Sequence, residues 1–87
     1  MNLIILRRAE KQIKLLPKTV QFAVGQGMRG VLVGVSDLEK KLQGYPNLYR
    51  IRVGKYRVVY EKKGDDIFVL LAEHRKDVYQ SLKRIWG

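Results

Sequence analysis

Residues Leu48 to Tyr60, LYRIRVGKYRVVY, restrict the possible folds of this chain more than any other stretch. Two runs, Tyr49-Arg50-Ile51-Arg52-Val53 and Tyr56-Arg57-Val58-Val59-Tyr60, flank Gly54-Lys55. Both are rich in β-branched and aromatic residues and both alternate with period 2, which predicts two strands joined by a two-residue turn. If Val53 pairs with Tyr56, then Arg52 lies opposite Arg57, Ile51 opposite Val58, Arg50 opposite Val59 and Tyr49 opposite Tyr60. Paired residues share a sheet face. One face then carries Tyr49, Ile51, Val53, Tyr56, Val58 and Tyr60 and suits a core. The other carries Arg50, Arg52 and Arg57 with Val59 and Glu61. Like charges set opposite one another repel. Either water screens them, as on any solvated basic sheet face, or something anionic belongs there. A one-residue slip would undo this pairing.

The flanking sequence supplies the other elements. Leu3-Ile4-Ile5-Leu6 is a short apolar run that reads as a buried strand. Leu6, Ala9, Ile13 and Leu16 recur at helical spacing with Arg7, Arg8, Lys11 and Lys14 opposite, predicting an amphipathic helix stopped by Pro17. Pro17 also suits the start of a second helix, in which Val20, Val24, Met28, Val31 and Val35 keep the period. Gly25, Gly27, Gly30 and Gly34 weaken that helix by roughly 1 kcal/mol each relative to alanine. Ser36-Asp37-Leu38-Glu39 has the form of a capping box, so a short helical turn is expected before Gly44. Tyr45-Pro46-Asn47 reads as a loop and Lys63-Gly64-Asp65-Asp66 as a turn. Ile67 to Ala72 is continuously apolar, a strand covered on both faces. In the tail Val78, Leu82 and Ile85 form a helical stripe, with Tyr79, Lys83 and Trp86 beside it. The expected order is β-α-α-β-β-β-α, an α+β fold in a single domain over residues 1–87. A helical hairpin covers one face of an antiparallel sheet, a short C-terminal helix follows, and the arginine face stays open.

Composition narrows the class. The chain has 87 residues, 46% of them hydrophobic, which is enough for one modest core and excludes a disordered chain. Cysteine is absent, so neither a disulfide framework nor a thiolate metal site is available, and a reducing compartment is expected. No stretch has the length of a membrane span and no secretory leader is visible, so a cytoplasmic protein is expected. Eighteen Lys and Arg against eight Asp and Glu give a net charge of +10. That excess points to an anionic partner, nucleic acid first and an acidic protein second.

The chemistry on offer is limited. A single histidine makes a His-based metal site untenable, and no nucleophile elbow or phosphate-binding glycine loop is present. No cofactor is called for. What remains is Arg50, Arg52, Arg57, His74, Arg75, Lys76 and Tyr79, with Lys55 and Lys83 as further RNA-binding cations. His74-Arg75-Lys76-Asp77-Val78-Tyr79 begins where the last strand ends, near the arginine face if that strand lies beside the hairpin. The set suits cleavage of RNA by its own 2′-hydroxyl. That reaction needs a base for the hydroxyl proton, an acid for the 5′ oxygen and cations around the phosphorane, without metal. Arginine grips phosphate through its bidentate fork but is a poor base. Histidine is the usual proton carrier near neutral pH, which makes His74 a candidate base; Tyr79 serves only if the guanidiniums depress its pKa. The bland alternatives are a surface histidine, a core Tyr79 and solvated lysines, with Tyr45, Tyr56, Tyr60 and Trp86 as packing residues.

Leu42 to Tyr60, together with His74 to Tyr79 and the pattern Ala9-x-x-x-Ile13-x-x-Leu16-Pro17, closely resembles the RelE/ParE toxin superfamily of bacterial toxin–antitoxin modules. The resemblance implies a compact β-α-α-β-β-β-α toxin wrapped by a cognate antitoxin. In the RelE branch it implies metal-independent endonucleolytic cleavage of mRNA in the ribosomal A site, leaving a 2′,3′-cyclic or 3′-phosphate end. The family's first-strand basic residues fall on Arg50 and Arg52 and its phosphate-binding arginine on Arg57. Its later arginine falls on Arg75 and its terminal tyrosine on Tyr79. The first-strand positions, often lysine in the family, are arginine here, which leaves the base step to His74 or Tyr79. The ParE branch shares the fold but inhibits DNA gyrase, and generally lacks the cation and tyrosine set. Charge alone would also suit a non-catalytic RNA- or ribosome-binding domain.

Overall fold

The computed structural model describes residues 2–86. In chain order the elements are β1 (Asn2–Ile5), α1 (Arg7–Lys14), α2 (Lys18–Leu32), β2 (Glu39–Lys41), β3 (Leu48–Val53), β4 (Tyr56–Lys63), β5 (Asp66–His74) and α3 (Val78–Trp86). The strands form one five-stranded sheet in the order β1-β5-β4-β3-β2. All neighbours are antiparallel except β1, which runs parallel to β5.

The β3–β4 hairpin has the register its alternation predicts. Val53 faces Tyr56, Arg52 faces Arg57, Ile51 faces Val58, Arg50 faces Val59 and Tyr49 faces Tyr60. Gly54 sits at φ 59° as the first central residue of the turn, the position where a type II′ turn demands glycine.

Helices α1 and α2 form the expected hairpin on one sheet face, α1 over β5 and α2 over β3. Their core joins Ala9, Val24, Met28 and Val31 to Ile51, Val58, Tyr60, Ile67, Val69 and Ala72. Gln21 closes the connection between them by donating from Nε2 to the Leu16 carbonyl at 2.9 Å. Despite its glycines α2 is one continuous fifteen-residue helix. One of those glycines has a packing role: a Cβ on Gly27 would stand 2.7 Å from Ile51 Cδ1, so the helix backbone lies close against β3.

Three expectations need correction. Residues 39–41 are a strand, not a helical turn: Glu39 to Lys41 pair with Ile51 to Tyr49 as β2. Ser36 Oγ does accept a local hydrogen bond, from the Leu38 amide at 3.3 Å, but it shapes a turn into the strand. The arginine face is not wholly open either. Val78 and Leu82 of α3 bury against Leu48, Val59, Leu70 and Leu71, covering one end of that face. Third, two apolar runs are less buried than expected: Val35 lies beyond α2 and is exposed, and β1 is an edge strand with Leu3 and Ile4 half-buried and Ile5 and Leu6 exposed.

Candidate functional site

The β4–β5 ladder contains a bulge that decides which side chains meet. Val59 pairs with Leu71 but Tyr60 pairs with Val69, so Leu70 is an extra residue on β5. Leu70 and Leu71 consequently both pack under α3, whereas Ile67, Val69 and Ala72 pack under α1 and α2. A bulge turns over the side-chain parity of everything beyond it. Unbroken alternation from Ile67 would set His74 among the arginines. Instead Glu73 pairs with Arg57, and His74 pairs with Tyr56 on the helix side of the sheet. There its ring meets Tyr56 edge-on, with centroids 5.8 Å apart. Its Nδ1 accepts the Lys76 amide at 3.1 Å. The sequence expectation that His74 joins the arginine face is therefore corrected: one inserted residue upstream faces it the other way.

The remaining cations converge. Arg52 and Arg57 are direct cross-strand partners, and Arg50 lies on the same face two residues along β3. The Arg75 amide donates to the Lys55 carbonyl at 2.8 Å, which pins the start of the β5–α3 connection to the hairpin turn. Arg57 is the centre of the group. Its Nη1 donates to the carbonyls of Gly54 at 3.0 Å and Tyr56 at 2.9 Å, which folds the guanidinium back toward the turn. Partial burial lowers its pKa; the charges of Arg50, Arg52 and Arg75 lower it further, while the phenol of Tyr79 acts the other way. Four guanidiniums and one phenol thus share one field. Tyr79, in the first turn of α3, is exposed rather than part of the core.

The lysines are more dispersed. Lys55 is exposed in the hairpin turn, Lys76 is exposed before α3, and Lys83 is exposed one helical turn beyond Tyr79. Two further residues extend the face and were not expected. Lys40 pairs with Arg50, and a cleft of about 150 Å³ is lined by Asp37, Leu38, Lys40, Arg50 and Arg52. Glu73 brings a carboxylate. Period-2 parity would have flagged Lys40 had 39–41 been read as a strand; no sequence signal marked the bulge that turns Glu73.

On the opposite face, Tyr60 is fully buried and donates its hydroxyl to Glu39 Oε2, while Lys62 binds Glu39 Oε1 at 2.8 Å. Burial first, and then the Glu39 bond and charge, push the Tyr60 pKa far up. Lys62 also stands 4.4 Å from the centre of the Tyr49 ring, and this network joins β2 to β3 and β4. Among the described residues no three His, Cys, Asp or Glu side chains gather as metal ligands. Nor is any helix among them long and apolar enough to cross a membrane.

Residues 3–79 match the family of ParE toxins of type II toxin–antitoxin systems, parDE. The chain belongs to the RelE/ParE toxin superfamily. Its fold is similar to the toxin of a RelB-RelE antitoxin-toxin complex from Methanococcus jannaschii, with a TM-score of 0.75 and 30% identity, covering 90% of this chain and 96% of that one. The isolated E. coli RelE toxin is similar at a TM-score of 0.74 and 30% identity, covering 95% and 96%. A curated relative, Toxin RelE3 of Methanocaldococcus jannaschii, is 52% identical over 40 residues. That match spans 46% of this chain and 46% of the relative, so the chain covers about half of the relative's length. In this RelE/ParE fold the face left uncovered by α1 and α2 is the one that holds the arginines, Glu73 and Tyr79.

Proposed function

We propose that this toxin is a ribosome-dependent mRNA endonuclease that halts translation by cutting in the A site through 2′-hydroxyl attack. The observation that carries this reading is Arg52 directly across from Arg57, Arg50 two residues along on the same face, and Arg75 pinned to the hairpin turn, with Tyr79 close enough for its charge to act on Arg57. Guanidiniums held against mutual repulsion suit a dianionic phosphorane, whose charge they stabilise as it forms. Tyr79 is one group on that face able to move a proton to or from an oxygen. Lys55, Lys76, Lys83 and Lys40 extend the positive field along the path of a bound RNA strand. The likeness to RelE toxins at 30% identity over nearly the whole chain supports this branch. A relative crystallised as a RelB-RelE complex supports a cognate antitoxin as the second partner, in the cytoplasm where ribosomes are.

The test is primer extension on mRNA after induction. New ends inside translated codons are expected, absent for Arg57→Ala. Intact mRNA in arrested cells would refute the assignment. The matched ParE family description favours a second reading, inhibition of DNA gyrase. It predicts loss of supercoiling activity with purified gyrase, and an unaffected gyrase removes it.

A further inference from the structure

Resting on the endonuclease reading above, we propose that Glu73 is the general base of the site, taking the proton from the attacking 2′-hydroxyl. The β5 bulge after Val69 turns Glu73, rather than His74, onto the arginine face opposite Arg57. Such re-aiming of a side chain beside a site is a recurrent use of bulges. Glu73 is half-buried, yet its Oε2 is sealed from solvent and has no hydrogen-bond donor in the protein, the only side-chain atom so placed among the described residues. Buried acceptors are nearly always bonded, and each exception calls for an explanation, a catalytic role among them. No Lys or Arg among the described residues forms an ion pair with it. The ion pairs among the described residues use Glu10 and Glu39, and Arg57 spends Nη1 on the turn carbonyls.

A carboxylate in this position repels phosphate and accepts protons. The one donor that an RNA backbone presents next to its phosphate is the 2′-hydroxyl. With the phosphate held by the guanidiniums, that hydroxyl comes to Oε1 of the half-buried carboxylate, the oxygen that is not sealed. The step then balances. Glu73 takes the hydroxyl proton, O2′ bonds to phosphorus, the P–O5′ bond breaks, and O5′ takes the Tyr79 phenolic proton. The products are a 2′,3′-cyclic phosphate and a 5′-hydroxyl, and proton exchange with water resets both side chains. A deoxynucleotide lacks the donor, so the same carboxylate discriminates against DNA.

The test uses the full chain and translating ribosomes with a defined A-site codon, under single-turnover conditions across pH. Glu73→Gln is expected to slow cleavage by about 10²- to 10⁴-fold and to change the dependence of the rate on pH. Its affinity for an RNA carrying a 2′-deoxy scissile nucleotide should match or exceed that of the wild type, since a negative charge is removed. Glu73→Asp should retain part of the rate. A Glu73→Gln protein that cleaves as fast as the wild type with the same pH profile overturns the assignment. So does a loss of rate matched by an equal loss of RNA affinity. A wild-type chain that leaves the mRNA intact on the ribosome refutes the endonuclease reading itself, and Glu73 as its base falls with it.

Discussion

Gly25 and Gly27 sit two residues apart inside α2, share one helical backbone and differ in what lies above them. A Cβ on Gly25 meets nothing within 4 Å; a Cβ on Gly27 meets Ile51 Cδ1 at 2.7 Å. Replacing either by alanine gains the same helix propensity, about 1 kcal/mol. At Gly25 that gain stands alone, so Gly25→Ala should stabilise by about 0.5–1 kcal/mol. At Gly27 the new methyl is about 1 Å inside the normal carbon–carbon separation of 3.5–4.0 Å. Ile51 is fully buried in β3, so any shift of its Cδ1 presses on its core neighbours. Overpacking of this kind costs about 1–3 kcal/mol. The difference between the two variants isolates that cost. For a domain of this size it separates their melting temperatures by roughly 4–8 °C per kcal/mol. Urea unfolding followed by far-ultraviolet circular dichroism measures it directly. Ile51→Val deletes the offending Cδ1 and alone should cost about 0.5–1.5 kcal/mol. Combined with Gly27→Ala it should cost less than the sum, because the alanine methyl fills the space vacated. Gly27→Ala as stabilising as Gly25→Ala, with no coupling to Ile51, would refute the close approach of α2 to β3.

Further outcomes follow from the site and the opposite face. Arg57→Ala should slow mRNA cleavage by about 10²- to 10³-fold and flatten the salt dependence of RNA binding by about 0.7 in log–log slope. A filter-binding titration and the ribosome assay report the two effects. His74→Ala should leave the cleavage rate and its pH profile unchanged, because the imidazole lies against Tyr56 on the far side of the sheet; a large loss would put His74 back in the chemistry. Tyr60→Phe should cost about 1–2 kcal/mol by removing a bond to a carboxylate, read by denaturant midpoint. Tyr60 also sets an alkaline limit. Its folded pKa is raised, so above the unfolded value of about 10 the unfolded chain binds fewer protons and stability falls as pH rises. Tyr60→Phe should lose that part of the fall; an identical alkaline profile would contradict it.

The hairpin was legible because one of its faces is apolar and period 2 fixes register wherever a face is buried. Both helices of the hairpin were legible from apolar spacing, even with glycines in α2, since packing on the sheet outweighs propensity. Strand β2 was hidden: Glu39, Lys40 and Lys41 are polar, edge-placed and preceded by Ser36-Asp37-Leu38-Glu39, whose capping-box form competes locally with a strand. Within the site, Arg50, Arg52 and Arg57 came from the hairpin pattern alone. The faces of Glu73 and His74 could not be read from Ile67 to Ala72, because an unbroken apolar run carries no parity. The bulge that sets them is invisible without the partner strand.

The pairing of β1 with β5 carries a consequence for synthesis. Asn2 to Ile5 are made well before Asp66 to Val69 and must wait for them before they gain any neighbour in the sheet. Arg57 likewise waits for Arg75 and Tyr79, the last contributors to its surroundings. A chain cut short before its final helix can still close β1 onto β5, but it lacks Tyr79 and the cover that α3 lays over Leu48, Val59, Leu70 and Leu71. Whatever harm this fold does therefore waits until Asn2 to Tyr79 have all emerged from the ribosome.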